Sequence, residues 1–212
     1  MDKLDYKKEF KEFYNPKTAP SIIEIPEMNF IQVEGKGNPN DEGGTYQQAL
    51  ELLYALTYTI KMAPKSGRAP KDYFEYVVPP LEGLWWLDGN LETDLKDKNK
   101  YCWTSMIRQP EFVTDEVFKY AIETVEKKKG LDTSKARLVT FTEGLCVQCM
   151  HIGSFDDEPE TFDKMKDYMA QNGLVHDSAY IGRHHEIYLG DPRKTEPSKR
   201  KTILRYPVKR VL

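Results

Sequence analysis

The sequence has few of the features that mark a membrane-bound or secreted protein. No apolar run approaches the roughly 20 residues that a helix needs to cross a bilayer. The first ten residues, MDKLDYKKEF, are too charged for a signal peptide. Its three cysteines, Cys102, Cys146 and Cys149, are too few and too odd in number for a disulfide framework. We therefore expect a soluble, cytoplasmic protein without a membrane partner.

Charge of one sign is also scarce, because the formal net charge is only −3 over 212 residues. A nearly balanced chain produces no strong field that would attract nucleic acid. The basic segment at 193–210 lacks the interleaved exposed aromatic residues that stack on bases. We predict that this segment is a solvated hairpin and that nucleic acid is not a partner.

The sequence also lacks a complete cofactor or metal motif. The glycine-rich segment at 35–44 has Asn40 where a dinucleotide fingerprint needs its third glycine, and it lacks the Gly-Lys-Ser/Thr of a phosphate loop. The CVQC motif lies in a predicted strand, where its two sulfurs face opposite ways. Although Cys149 and His151 would share a face, no second ligand pair follows at zinc-like spacing. We expect neither a cofactor nor a metal.

Apolar residues make up 39% of the chain and aromatic residues 12%, enough for a packed core and a ring-lined cavity. Apolar residues recur with a helical period over 45–62, and again between Thr114 and a stop at Gly130. These patterns predict an α+β fold in which helices cover one face of an antiparallel sheet and leave the other face free. The predicted strands lie at 25–35, 72–80, 81–88, 98–110, 136–141, 145–153 and 184–189.

An internal repeat is visible when residues 32–50 are set against 148–166 without a gap. Gly37 then matches Gly153, and in a second alignment Glu75 lies opposite Glu186. The match predicts two pseudo-symmetric β-α-β-β units, about 20–110 and 111–212, within a single domain spanning 1–212. A chance match over so short a window is the alternative.

Several stretches together carry a resemblance to a known family. The stretches are FYNPKTAPSIIEIPEMNFIQVEG, EGLWW, VQCMHIGSFDDEP and HHEIYLGDPRK. With them the chain resembles stand-alone proteins of the GyrI-like small-molecule-binding superfamily over essentially its whole length. It looks most similar to the branch that includes cyclopropanoid cyclopropyl hydrolases, which open the cyclopropane of DNA-alkylating natural products.

The resemblance implies a ligand cleft at the junction of the two units, with a glutamate of the last unit in the pocket. The motif HEIYLGDP places that glutamate at Glu186. A hydrophobic aromatic small molecule is the partner that the resemblance implies. The superfamily also includes transcription regulators and a gyrase inhibitor.

The strand that contains Glu186 predicts which side chains accompany it. Alternate residues share a face, so Glu186 and Tyr188 would face the cleft while Ile187 and Leu189 pack beneath the helices. Glu186 then acts as a general base or attracts a cation, and Tyr188 donates a hydrogen bond where charge develops on the ligand. The alternative is that Glu186 is a surface residue paired with a lysine or arginine.

Aromatic and histidine side chains are the candidates for lining the cleft. Trp103 is the better tryptophan candidate because it lies near the junction of the two units. No serine or cysteine elbow accompanies the histidines, so a catalytic triad is not expected. The candidate catalytic residues are Glu186 and Tyr188, and the candidate ligand-binding residues are Trp103, Trp86, Tyr101, His151 and His184.

Two functions from different classes follow from these residues. One is hydrolysis of a cyclopropanoid genotoxin by water that Glu186 activates, which would serve detoxification. The other is non-catalytic binding and sequestration of a flat, hydrophobic and in some cases cationic molecule. A gyrase-inhibitor role rests on family analogy alone. The sequence leaves open whether the protein is an enzyme, and whether it is a monomer or a homodimer.

Overall fold

The computed structural model describes residues 3–89, 96–177 and 183–211, and the predicted α+β class is confirmed. The helices of this part of the chain are α1 (Tyr6–Glu9), α2 (Lys11–Tyr14), α3 (Thr45–Met62), α4 (Asp115–Lys129) and α5 (Glu158–Gln171). The strands are β1 (Ser21–Lys36), β2 (Leu81–Leu87), β3 (Tyr101–Gln109), β4 (Ala136–Ile152), β5 (Leu174–His176), β6 (His184–Tyr188) and β7 (Lys201–Arg210).

The two long helices that the sequence predicts are confirmed. Helix α3 occupies the predicted range 45–62 and buries seven residues, including Leu53, Leu56 and Ile60. Helix α4 begins after Thr114, whose side chain accepts a hydrogen bond from a backbone N–H of the first turn. It ends at Gly130, which adopts the left-handed φ of 65°. None of the helices among the described residues is long and apolar enough to cross a membrane.

The strands form an antiparallel, barrel-like sheet. Their order is β4-β1-β3-β2-β6-β7, and β7 pairs again with β4, so that the sheet closes on itself. The short strand β5 adds to β7. Each half of the chain contributes a strand, a helix and two further barrel strands, and the halves meet where β1 pairs with β4 and β2 with β6. The relation of the two units by a pseudo-twofold remains a prediction.

The prediction of a strand at 72–80 is wrong. This segment is irregular, with a single β-bridge from Tyr76 to Leu4. Tyr76 is fully buried, and its ring and that of Phe74 pack on Phe112, so side-chain burial and not strand pairing positions the segment. Glu75 lies outside any strand and is therefore not the structural counterpart of Glu186, which lies in β6.

The prediction of a solvated hairpin for the basic segment at 193–210 is also wrong. Most of it is strand β7, which pairs with β4, β5 and β6. Ile203 and Leu204 are fully buried, and so is most of Arg205. The many lysines and arginines suggested a solvent-exposed segment, although it contains the strand that closes the barrel.

The closed sheet has two faces with different surroundings. On its helix face, Tyr46 of α3 contacts Trp85 and Trp103, while α5 contributes Met165 to a cluster that includes Leu204. The other face encloses the barrel interior, where α2 supplies Tyr14. Residues of β6 alternate between these two environments.

A close approach on the helix face yields a stability prediction. Gly35 lies opposite Trp103 in the β1–β3 pairing, and a Cβ atom on Gly35 would overlap the indole ring. We expect Gly35→Ala to lower the free energy of unfolding by about 1–3 kcal/mol, because the buried ring has no free space to occupy. Urea denaturation measures the change.

Gly190→Ala is the matched control, since its Cβ would lie at an ordinary 3.4 Å from the Thr195 hydroxyl on an exposed turn. We expect it to alter the free energy of unfolding by less than about 0.5 kcal/mol. Equal losses in the two variants would contradict the proposed steric role of Gly35.

Candidate functional site

The centre of the candidate site is the Glu186 carboxylate in β6, which is 8% exposed. His184 Nε2 lies 2.8 Å from its Oε1 atom, and the Tyr188 hydroxyl donates a hydrogen bond of 2.6 Å to its Oε2 atom. The strand alternation that the sequence predicts thus brings these three side chains together on the helix face. Both carboxylate oxygens are engaged, which fixes the orientation of Glu186.

A tryptophan completes this hydrogen-bonded chain. The Trp85 indole Nε1–H donates to the Tyr188 hydroxyl at 2.8 Å, and that hydroxyl donates onward to Glu186. Burial, followed by the charge of Glu186, raises the pKa of Tyr188 well above its ordinary value. Tyr188 is therefore a neutral donor whose single proton is directed at Glu186, so its geometry supports positioning of the carboxylate rather than the predicted donation to a ligand.

Aromatic rings from three segments surround this series of hydrogen bonds. Tyr46 lies at the start of α3, and burial, followed by the charge of Glu186, raises the pKa of its hydroxyl. The Phe155 ring lies edge-on to Tyr188 at 5.9 Å, and the Phe162 ring of α5 lies edge-on to His184 at 4.8 Å. The carboxylate thus lies among rings contributed by the region between α3 and α5, a setting suited to planar apolar ligands.

We expected the helices to cover the face of the sheet opposite Glu186, and the structure differs in this respect. Tyr46 of α3 and Phe162 of α5 lie on the same side as Glu186. Ile187 is fully buried as expected, but it faces away from this cluster, since its paired residue Glu82 belongs to the barrel interior. The opposite face is closed into a barrel, and its interior contains a small cavity that Glu82 helps to line.

The other tryptophan candidates have different positions from those expected. Trp103 is only 1% exposed and packs between Gly35 and the Tyr46 ring, 5.1 Å away, so it supports the site from the core. Trp86 lies on the opposite face of β2 from Trp85, and the Arg183 guanidinium lies over its ring at 4.3 Å. Trp85, which was not among the candidate residues, is the tryptophan that donates a hydrogen bond to Tyr188.

Tyr101 and His151 complete the set of predicted residues. Tyr101 is half-buried, its ring lies 6.5 Å from Trp85, and burial followed by the charge of Glu186 raises its pKa, so it borders the site. His151 is buried, with Nδ1 2.9 Å from the Thr161 hydroxyl and Nε2 2.9 Å from the Ser154 carbonyl. Both ring nitrogens of His151 have polar partners around the start of α5, so this geometry supports a structural role for His151.

A second carboxyl group, which sequence reasoning missed, lies beside Glu186. Glu158 is the first residue of α5 and is only 6% exposed. The pKa of Glu158 is raised to about 10, mainly by burial and to a lesser extent by the charges of Glu186 and Asp156. An acidic residue at a helix start is so common that no sequence signal distinguishes this one.

The barrel interior contains a separate charged cluster that the sequence also failed to predict. His185, 2% exposed, has Nδ1 2.9 Å from Glu143 and Nε2 3.0 Å from Glu82. Burial alone would lower the pKa of His185, but the two carboxylates outweigh it and raise the pKa to about 9. The imidazolium therefore joins β2, β4 and β6 through the interior.

Neighbouring groups complete the charge balance of this cluster. Arg205 of β7 lies 3.7 Å from Glu143 and donates to the Gln148 side chain at 3.1 Å. The Tyr14 hydroxyl of α2 donates to Glu82 at 3.3 Å. Two carboxylates thus face two cations, which offsets the cost of burying each charge alone.

Comparison with known proteins places the chain in a family. The model of the GyrI-like small-molecule-binding domain matches residues 18–209, and the chain belongs to this family. The resemblance inferred from the sequence is thereby confirmed. No curated protein matches the chain significantly.

Among solved structures, the chain is similar to the following three. A hydrolase encoded by lin2189 from Listeria innocua shares 50% identity, with a TM-score of 0.90 over 98% of this chain and 100% of the other. An uncharacterized conserved protein from the same organism shares 51% identity at a TM-score of 0.91 with the same coverage. The C-terminal domain of EcmrR shares 13% identity at a TM-score of 0.50 over 91% of this chain and 98% of that domain, which shows a common fold alone.

The interior cluster predicts a pH dependence of stability. The folded pKa of His185, about 9, exceeds its unfolded value near 6.5. Its stabilising contribution is fully present below pH 6.5 and is lost as pH rises through 9, for a total of roughly 3 kcal/mol. We expect the urea-derived free energy of unfolding to fall across this window.

His184→Gln serves as the control, because it changes the neighbouring histidine on the helix face and should keep the same pH dependence. An NMR titration of the His185 ring should show that it retains its proton up to a pH of about 9. A free energy of unfolding that is constant or rises between pH 6.5 and 9 would contradict the charged interior cluster.

Proposed function

We propose that this protein binds flat hydrophobic small molecules beside Glu186 and hydrolyses cyclopropanoid genotoxins, which removes their alkylating group. The observation that carries the proposal is the Glu186 carboxylate, oriented by His184 and Tyr188 and surrounded by aromatic rings. Ring faces hold a planar ligand by stacking, while the oriented carboxylate supplies a base at a defined point.

In the proposed reaction, Glu186 accepts a proton from a water molecule as the water oxygen bonds to a cyclopropane carbon. The strained carbon–carbon bond breaks, and its electron pair moves through the conjugated system to the carbonyl oxygen of the substrate. That oxygen takes up a proton, so the net change is addition of one water molecule. Ring strain supplies part of the driving force, and the protein supplies position and proton transfer.

Tyr188 has a positioning role in this scheme. Its hydroxyl accepts from Trp85 and donates to Glu186, so it determines where the carboxylate points. His184 engages the other oxygen from the same strand. Similarity to a Listeria innocua protein described as a hydrolase, at 50% identity, supports a hydrolytic reaction without identifying its substrate.

Sequestration without turnover is the alternative function, and the same carboxylate favours it. A buried carboxylate among aromatic rings also suits a lipophilic cation. The two functions differ in what removal of the charge would do, since binding depends on attraction and hydrolysis on proton transfer.

Glu186→Gln separates the two functions. The amide keeps the shape of the side chain but cannot accept the proton of water, so we expect turnover of a cyclopropanoid to fall by on the order of 10²-fold or more. Binding of a neutral planar analogue without the cyclopropane should stay within about threefold of wild type. Product formation is followed by mass spectrometry, and binding by the fluorescence of the buried tryptophans.

Glu160→Gln, an exposed change on α5, is the matched control and should leave turnover unchanged. Unaltered turnover in Glu186→Gln would exclude Glu186 as the base. If wild type binds the analogue and forms no product, the sequestering function replaces the hydrolytic one, and lipophilic cations should then lose affinity in Glu186→Gln while neutral ligands do not.

A further inference from the structure

Glu158 is a buried carboxyl group that the reaction described above does not use. Its side chain belongs to the first turn of α5, and its Oε1 atom has no hydrogen-bond partner among the described residues. A buried polar atom without a partner lowers the stability of a fold, so its retention calls for a reason. Neither a helix cap nor an ion pair to the described residues accounts for this oxygen.

The groups around Glu158 show which way its carboxyl group lies. Phe155, three residues before Glu158, has its ring 5.9 Å from the Tyr188 ring, and Phe162, four residues after Glu158, has its ring 4.8 Å from that of His184. The negative charge of Glu186 also contributes to the raised pKa of Glu158. Glu158 therefore lies within the same cluster as the proposed base, on the side of α5.

Glu158 is neutral although it lies at the N-terminal end of α5. The positive end of a helix dipole favours an ionised carboxylate and lowers its pKa. Here burial, with added repulsion from Glu186 and Asp156, raises the pKa to about 10 instead. A buried carboxyl group that holds its proton at neutral pH can act as an acid.

We propose that Glu158 is a catalytic residue of this site, a neutral carboxylic acid that donates its proton to the substrate oxygen on which charge develops while Glu186 accepts the proton of the attacking water. This inference rests on the proposed hydrolytic function and adds the proton donor that it requires. Tyr188 cannot serve as that donor in the observed arrangement, because its proton is directed at Glu186.

The proton balance closes within the site. The water oxygen forms a bond to the cyclopropane carbon as the carbon–carbon bond breaks, and the electron pair reaches the carbonyl oxygen, which takes the Glu158 proton. Glu186 holds the proton removed from water. After product leaves, that proton returns from Glu186 to the Glu158 carboxylate, and neither oxidant nor reductant is needed.

Glu158→Gln tests the role in full-length protein. The amide is isosteric and can hydrogen-bond, but it cannot transfer a proton, so we expect kcat for a cyclopropanoid to fall by about 10²-fold. Affinity for a neutral planar analogue without the cyclopropane should remain within about threefold. Because a neutral acid is replaced by a neutral amide, thermal stability should be nearly unchanged, which distinguishes catalysis from a structural role. Glu160→Gln on the exposed side of α5 is again the control.

An infrared measurement tests the protonation state without any substrate. The difference spectrum of wild type minus Glu158→Gln at pH 7 should contain the C=O stretch of a protonated carboxylic acid, and the wild type minus Glu160→Gln spectrum should not. A Glu158 carboxylate that is ionised at pH 7 overturns this inference whether or not the protein turns over its substrate.

The kinetic outcomes separate the two proposals. Wild-type turnover that persists in Glu158→Gln overturns the role of Glu158 and leaves the hydrolytic function in place. Loss of kcat in Glu158→Gln at unchanged analogue affinity supports it. Absence of turnover in wild type overturns both the hydrolytic function and the role of Glu158 in it.

Discussion

The need to neutralise buried charge on both faces of β6 constrains the rest of the structure. Strand alternation directs Glu186 to the helix face and His185 to the barrel interior. A charge left alone in either place would cost several kcal/mol, so each face must supply partners. The interior supplies Glu82 and Glu143, and the helix face supplies His184 and Tyr188. One five-residue strand thus links the stability of the barrel to the geometry of the candidate site.

The helix face shows how the same residues serve packing and chemistry. Trp103 fills the space beside Gly35 and supports Tyr46, while Trp85 uses its ring for packing and its N–H for Tyr188. A tryptophan can do both because its large apolar body carries one polar donor. His151 acts further back, where it holds the start of α5 and with it Glu158. The carboxyl groups of Glu158 and Glu186 thus depend on a supporting layer of packed rings and hydrogen bonds.

The parts of this arrangement that follow local rules could be predicted from the sequence. The bounds of α3, the cap at Thr114 and the shared face of His184, Glu186 and Tyr188 depend on residue spacing alone. The barrel interior could not be predicted, because Glu82, Glu143 and Arg205 meet His185 only when distant strands close into a barrel. The ligand-binding role of Trp103 stays a prediction for a related reason, since proximity to the junction of two units does not specify what a ring contacts.

The strand that closes the barrel is the last of the described strands along the chain. Strand β7 pairs with β4 and β6, and Arg205 reaches the interior cluster from it. Without residues 201–210, β4 and β6 would each have one unpaired edge, and Glu143 would lack one of its cations. Exposed strand edges recruit other chains, and contacts between distant segments form slowly. Docking of this one strand therefore protects two edges at once and completes the charge balance of the interior.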